Sequence, residues 1–267
     1  MGILNLTTDS FSDGGELVAG QRLDASALLQ RARAMVDAGA DWLDLGAEST
    51  RPGAEPVAAG QQVDLIGTAL TLLRDRFDVR LSVDSSAPEV FRVAAAEGAD
   101  LLNDVRALRE PGALEAAVAT GLPVCLMHMQ GQPRTMQQAP GYEDVVAEVC
   151  EFLQERLQTC RRAGVTAPLL LDPGFGFGKL LPHNLALLDD LDQLVALGCP
   201  VLVGMSRKRM LGELTGKSLE DRMPAGLAAA MVALERGASI IRTHDVAPTV
   251  DAVALVRALS EQRSRDA

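Results

Sequence analysis

Short apolar runs alternate with segments of helical period along this 267-residue chain, and the alternation repeats eight times. Strand-like runs fall at 2–6, 42–45, 80–83, 101–103, 123–127, 169–171, 201–204 and 240–243. Helical segments rich in Ala, Leu, Glu and Arg fall at 24–38, 56–75, 88–97, 112–119, 142–163, 184–197, 219–236 and 248–264. Gly39, Gly98, Gly164, Gly198 and Gly237 stand just past helix ends, and Ser86 with Pro88 and Glu89 marks a helix start. Continuous apolar strands joined by helices give a parallel sheet covered by helices. Eight such units close as an α/β (β/α)8 TIM barrel rather than an open doubly wound sheet. No low-complexity segment and no shift in composition marks a boundary, so one domain over residues 1–267 is expected.

A formal net charge of -11 argues against a chain that wraps nucleic acid or lies on an anionic membrane, since both need a basic face. No apolar run approaches the ~18–20 residues of a bilayer span, and no charged region leads into a signal-like core at the start. The expectation is a cytoplasmic protein. Cys125, Cys150, Cys160 and Cys199 are widely spaced without a C-x-x-C pair, which suggests reduced thiols rather than a zinc site or a disulfide framework.

In such a barrel the chemistry belongs at the carboxyl ends of the strands. There the sequence delivers Asn5 and Asp9, Asp44 and Glu48, Asp84, Asn103 and Asp104, and His128. Asp172, then Ser206 to Arg209, and finally Arg242, His244 and Asp245 complete the set. Asp84, Asn103 and Asp172 each follow an apolar run directly. Two carboxylates and an amide aimed into one pocket suit a planar heterocycle with an amidine-like edge, although paired carboxylates also suit acid/base or glycosidase chemistry. Arg51, Lys208, Arg209, Arg242 and His244 come from three strand ends, the arrangement expected around a multiply charged anion. A glycosidase has no use for that cluster.

The run Asp172-Pro-Gly-Phe-Gly-Phe-Gly-Lys179 fails the spacing of a phosphate-cradling loop, as does Gly212-Glu-Leu-Thr-Gly216-Lys217-Ser218. Its glycines are expected to allow a ligand close to the backbone. Aromatic residues make up 3% of the chain, so Phe175 and Phe177 in this loop are expected to stack on a flat ring rather than enter the core. His128 and His183 have no metal-ligand partners at useful spacing and are expected to be structural.

Seven segments together resemble the dihydropteroate synthase family. They are Met1 to Gly15, Glu48-Ser-Thr-Arg-Pro-Gly-Ala54, Ser82-Val-Asp-Ser85, Leu126-Met-His-Met-Gln-Gly131, Asp172 to Lys179, Gly204-Met-Ser-Arg-Lys208 and Arg242-Thr-His-Asp-Val246. The resemblance spans nearly the whole chain. It implies a transferase that condenses 6-hydroxymethyl-7,8-dihydropterin pyrophosphate with 4-aminobenzoate in folate synthesis, and a target for sulfonamides. Carried over, Asp84, Asn103, Met127, Asp172, Phe177, Lys208 and Arg242 would bind the pterin. Thr50, Arg51, Pro52, Phe177 and Ser206 would form the aminobenzoate pocket. Asn5, Thr50, Arg242 and His244 would take the pyrophosphate, with Asn5 also reaching Mg²⁺, and Lys208, Arg242, Asp84 and Arg51 would carry catalysis. A homodimer built on the last helices is implied as well.

Thr8 stands where the family commonly has proline, Ala47 where it has glycine and Ala87 where it often has lysine. The chain starts inside the first strand, where the family usually has a short lead-in that closes the barrel floor, so either the true N-terminus lies upstream or the floor is closed differently. Two rivals share part of the set: a pterin-dependent methyltransferase on the same barrel, and a pterin-binding paralogue without synthase activity.

Overall fold

The computed structural model describes residues 1–7, 17–19, 22–49, 57–132 and 135–266. Strand β1 (Gly2–Asn5) is followed by an antiparallel hairpin of β2 (Val18–Ala19) and β3 (Arg22–Leu23). Then come α1 (Ala25–Asp37), β4 (Trp42–Gly46), α2 (Ala59–Arg74), β5 (Arg80–Asp84), α3 (Pro88–Ala96), β6 (Leu101–Asp104), α4 (Ala113–Thr120), β7 (Val124–Met127) and α5 (Val145–Ala163). The last third holds β8 (Leu169–Asp172), α6 (Leu181–Asp189), α7 (Leu191–Val195), β9 (Leu202–Val203), α8 (Arg209–Thr215), α9 (Met223–Glu235), β10 (Ile240–Ile241) and α10 (Val246–Asp266).

Six strands pair in parallel in the order β1-β4-β5-β6-β7-β8, and β9 pairs in parallel with β10. Bridges Leu171–Val201 and Gly2–Thr243 join the two sheets at both seams. At the second seam Ile3 N–H donates to Thr243 O at 3.1 Å and Thr243 N–H donates to Met1 O at 2.9 Å. The result is the closed (β/α)8 barrel. Helix starts follow their local chemistry: Asp24 and Asp144 cap α1 and α5 by accepting from the backbone two and three residues on. Gly164 ends α5 with φ 100°.

Three local features depart from the sequence reading. The segment expected as one helix over 184–197 breaks at Asp190, whose φ of -101° and ψ of 28° leave helical geometry. Helix α8 was not expected, because it is short and carries Gly212, a weak helix former. The Arg222 guanidinium lies over Gly212, 2.4 Å from where a Cβ would sit, a contact that a flexible side chain can relieve by shifting. The β2–β3 hairpin is the third addition.

Register decides which side chains enter the barrel, because parallel partners share a face. Ile3, Asp44 and Ser82 align, and so do Asn5, Gly46, Asp84, Asn103, Cys125 and Leu170; Met127 aligns with Asp172. The intervening Leu4, Leu43, Leu45, Leu81, Val83, Leu102, Leu126 and Leu171 are buried in the layer beneath the helices. Inside, the floor is apolar: Leu101, Cys125, Leu170 and Leu202 pack together with Met1, Trp42 and Ile240. The barrel interior changes from apolar to ionic within two positions at Trp42 to Asp44, Leu170 to Asp172 and Ile240 to Arg242.

Candidate active site

The strand ends converge on a cavity of about 490 Å³. Asp84 and Arg242 line it, with Asn5, Thr7, Glu48 and Ser49 from the first two strand exits and Phe177, Ser206, Lys208 and His244 from the last three. Arg242 follows β10 directly and crosses the interior. Its Nε donates to Asp44 Oδ2 at 2.6 Å and its Nη2 to Asp84 Oδ2 at 2.9 Å. Asn103 Nδ2 donates to the same Asp44 carboxylate at 3.3 Å.

Asn103, Met127 and Asp172 are more deeply placed, at 4%, 3% and 6% exposure. They are not on the cavity lining, so they lie beside it. Asp172 Oδ1 accepts the Gly174 N–H at 2.7 Å. Burial raises the Asp172 pKa, opposed by Lys208. Burial also pushes Asp84 up to about 7, with Arg242 pulling it down and Asp44 adding repulsion. Lys208 is lowered to about 8 by burial against the pull of Asp172. Burial works against the charge of Arg242, but Asp44 and Asp84 outweigh it and the guanidinium stays protonated.

The loop after β8 supplies one wall of the cavity. Phe177 is half-buried, packs beside Val105, Met127, Met129 and Met136, and has Lys208 Nζ 4.6 Å from its ring centroid. Phe175 overturns its expectation: it is fully buried in the core, and its carbonyl accepts from Lys208 Nζ. The chain folds back far enough for one aromatic to turn inward while the next faces the cavity.

The glycines also have a different job from the expected one. Gly174 and Gly178 have φ of 68° and 62°, and a Cβ on them would meet His128 O at 1.9 Å and Gln130 O at 2.4 Å. They permit close packing of this loop on the chain leaving β7.

After β9 the chain turns at Arg207, a non-glycine residue with φ 58° whose guanidinium is held by Asp245 at 2.6 Å. That turn precedes Lys208 and α8. Ser206 Oγ accepts the His244 N–H at 3.2 Å and lies 3.1 Å from His244 Nδ1, which joins the exits of β9 and β10. His128 is buried as expected, edge-on to Phe152 with centroids 5.0 Å apart.

Thr50, Arg51 and Pro52 lie outside the described residues. Among the described residues no group of three or more His, Cys, Asp or Glu could hold a metal, and no helix is long and apolar enough to cross a membrane. Asp44 is expected at the rim but without a role there, and Lys179 enters the sequence reading only as the end of the glycine-rich run. Alternation along β4 puts Asp44 two positions before the strand end, on the inward face, which was a signal available in the sequence.

Comparisons with known proteins agree with this geometry. A family model described as "Pterin binding enzyme" matches residues 1–244. The dihydropteroate synthase of Escherichia coli (strain K12) is 50% identical over 259 residues, covering 97% of this chain and 90% of that protein. The crystal structure of Yersinia pestis dihydropteroate synthase with a sulfonamide drug superposes with a TM-score of 0.93 at 49% identity, covering 97% of this chain and 93% of the other. Xanthomonas albilineans dihydropteroate synthase in complex with 7,8-dihydropteroate gives a TM-score of 0.82 at 41% identity, covering 97% and 91%.

Proposed function

Because the chain belongs to the dihydropteroate synthase family, we propose that it joins the methylene carbon of 6-hydroxymethyl-7,8-dihydropterin pyrophosphate to the amine of 4-aminobenzoate. The products are 7,8-dihydropteroate and pyrophosphate, as needed for folate synthesis. One observation carries the assignment of parts: a single cavity joins the Asp84–Arg242 pair to a wall made by Phe177, Ser206, Lys208 and His244.

In this reading the pterin lies against the barrel interior. Asp84, Asn103 and Asp172 supply the hydrogen-bonding partners for its amidine-like edge, with Met127, Phe177, Lys208 and Arg242 around the ring. Arg242 already faces two carboxylates, so an arriving pyrophosphate shares a cation that is fixed in place and does not have to be ordered. Asn5, Thr50, Arg242 and His244 bind that leaving group.

Asn5 lines the cavity and offers a hard oxygen donor, so it would hold an Mg²⁺ ion, which would supply neutralising charge to the departing pyrophosphate. The chain's own contribution is a dissociative displacement. The C–O bond to pyrophosphate breaks, the cation at the methylene is stabilised by Asp84 and Asp172, and the arylamine nitrogen then forms the new C–N bond and releases a proton to solvent.

Thr50, Arg51 and Pro52 form the aminobenzoate pocket with Phe177 and Ser206 and exclude water, which competes with a weak nucleophile. Arg51, Asp84, Lys208 and Arg242 are the catalytic residues. The chain acts as one domain, as a cytoplasmic homodimer. Formation of dihydropteroate from the two substrates and Mg²⁺ tests the assignment. Tight pterin binding without product would replace it with the inactive paralogue.

A further inference from the structure

The cavity wall at Phe177 depends on a residue that does not touch its ring. Lys179 is 3% exposed, and its ammonium sits among four acceptors: His128 Nδ1 at 2.9 Å, Gly174 O at 3.0 Å, Phe177 O at 3.1 Å and, more distantly, His128 O at 3.4 Å. Its three N–H donors are all engaged, and among the described residues no carboxylate forms an ion pair with the group. Burying an ammonium in this way is expensive, and a methionine would fill the same volume without desolvating a charge. Burial and the charge of Lys179 lower the His128 pKa to about 2, so the imidazole is neutral and its Nδ1 lone pair can accept.

The remaining ties on the loop spare the residue that matters. Gly176 N–H donates to Asn184 Oδ1 at 2.7 Å, Gly176 O accepts from Gln137, and Gly178 O accepts from the Tyr142 hydroxyl at 2.8 Å. Phe177 N–H closes a turn onto Gly174 O at 3.0 Å, and Lys179 holds both carbonyls of that turn. Loss of the ammonium leaves Gly176 and Gly178 anchored, with Gly174 N–H still on Asp172 and Phe175 O still on Lys208, and frees the Gly174 and Phe177 carbonyls, so that Phe177 is the residue whose setting loosens.

We propose that Lys179 is the positioning residue of the aromatic wall, tying the Gly174–Phe177 turn to His128 so that the Phe177 ring stays beside Lys208 and presents a fixed face to the arylamine substrate. The inference rests on the synthase reading above and deepens it. It assigns to Lys179 the pre-ordering of the aminobenzoate half of the site, while Asp172 keeps its own hydrogen bond to Gly174 N–H and the pterin half remains formed.

The test is a double-mutant cycle between Lys179→Met and Phe177→Ala, measured on the full chain with both substrates. Lys179→Met is expected to raise the KM for 4-aminobenzoate by about tenfold and to change pterin pyrophosphate affinity by less than roughly threefold. In the Phe177→Ala background the same change is expected to have little further effect on that KM, because the wall it positions is gone. Lys179→Gln, which keeps donors without the charge, serves if the methionine variant does not fold, and an intermediate KM is expected. A purely structural lysine predicts a lower Tm with both KM values unchanged. That result, or a KM effect that persists undiminished without Phe177, overturns the proposal. Absence of product from the parent protein sinks the synthase reading itself and is distinguishable from failure of this inference.

Discussion

Asp44, fully buried, accepts a 2.6 Å hydrogen bond from Nε of Arg242, a residue 198 positions away in sequence. The pair spans the barrel seam and fixes a guanidinium that also reaches Asp84. Removing one partner of a buried ion pair strands the other charge in a medium that solvates it poorly. Asp44→Ala is expected to lower unfolding free energy by about 3 kcal/mol, the low end for such pairs because Asp84 still faces the guanidinium. Urea unfolding checks this, and an unchanged midpoint would speak against it.

The pH profile should report two groups of opposite sign. Pterin binding as described needs Asp84 ionised, above its value of about 7, and Lys208 protonated, below its value of about 8. The kcat/KM for pterin pyrophosphate is therefore expected to rise through the first and fall through the second, giving a narrow bell. A profile flat from roughly pH 6 to 9 contradicts that assignment.

Arg51 belongs to the aminobenzoate half in this account. Arg51→Ala is expected to lower turnover and to weaken the use of 4-aminobenzoate more than the binding of pterin pyrophosphate. Steady-state kinetics with each substrate varied will tell, and equal loss of both would remove Arg51 from that pocket.

Lys179 also leaves a signature in stability. Burial lowers its folded pKa to about 7 from the ordinary 10.5, so between those values the unfolded chain binds more protons than the folded one. Stability from this group therefore rises as pH increases through that window and is smallest below it. Subtracting the unfolding free energies of Lys179→Met from those of the parent across the window should expose that positive slope. A flat difference indicates a lysine that is not desolvated.

The barrel was legible because strand and helix periods alternate eight times and glycines punctuate them. Asp84, Asn103 and Asp172 could be placed near the carboxyl ends of their strands because each directly follows an apolar run; Asp84 lines the cavity, while Asn103 and Asp172 are buried and absent from its lining. Pairings across the barrel were not legible, since nothing local to Arg242 names Asp44 as its partner. The loop after Asp172 misled for a related reason. Its glycines and aromatics were expected to serve a ligand, but Gly174 and Gly178 serve the neighbouring backbone and Phe175 serves the core, which leaves Phe177 to face the cavity. Helix α8 escaped because it is only seven residues long and carries Gly212, which weakens the local signal.

The most direct measurement incubates the purified chain with 6-hydroxymethyl-7,8-dihydropterin pyrophosphate, Mg²⁺ and 4-aminobenzoate and follows 7,8-dihydropteroate by chromatography. Stoichiometric release of pyrophosphate with formation of the product is expected, both lost in Arg242→Ala. Tight binding of the pterin substrate with no dihydropteroate formed would contradict it.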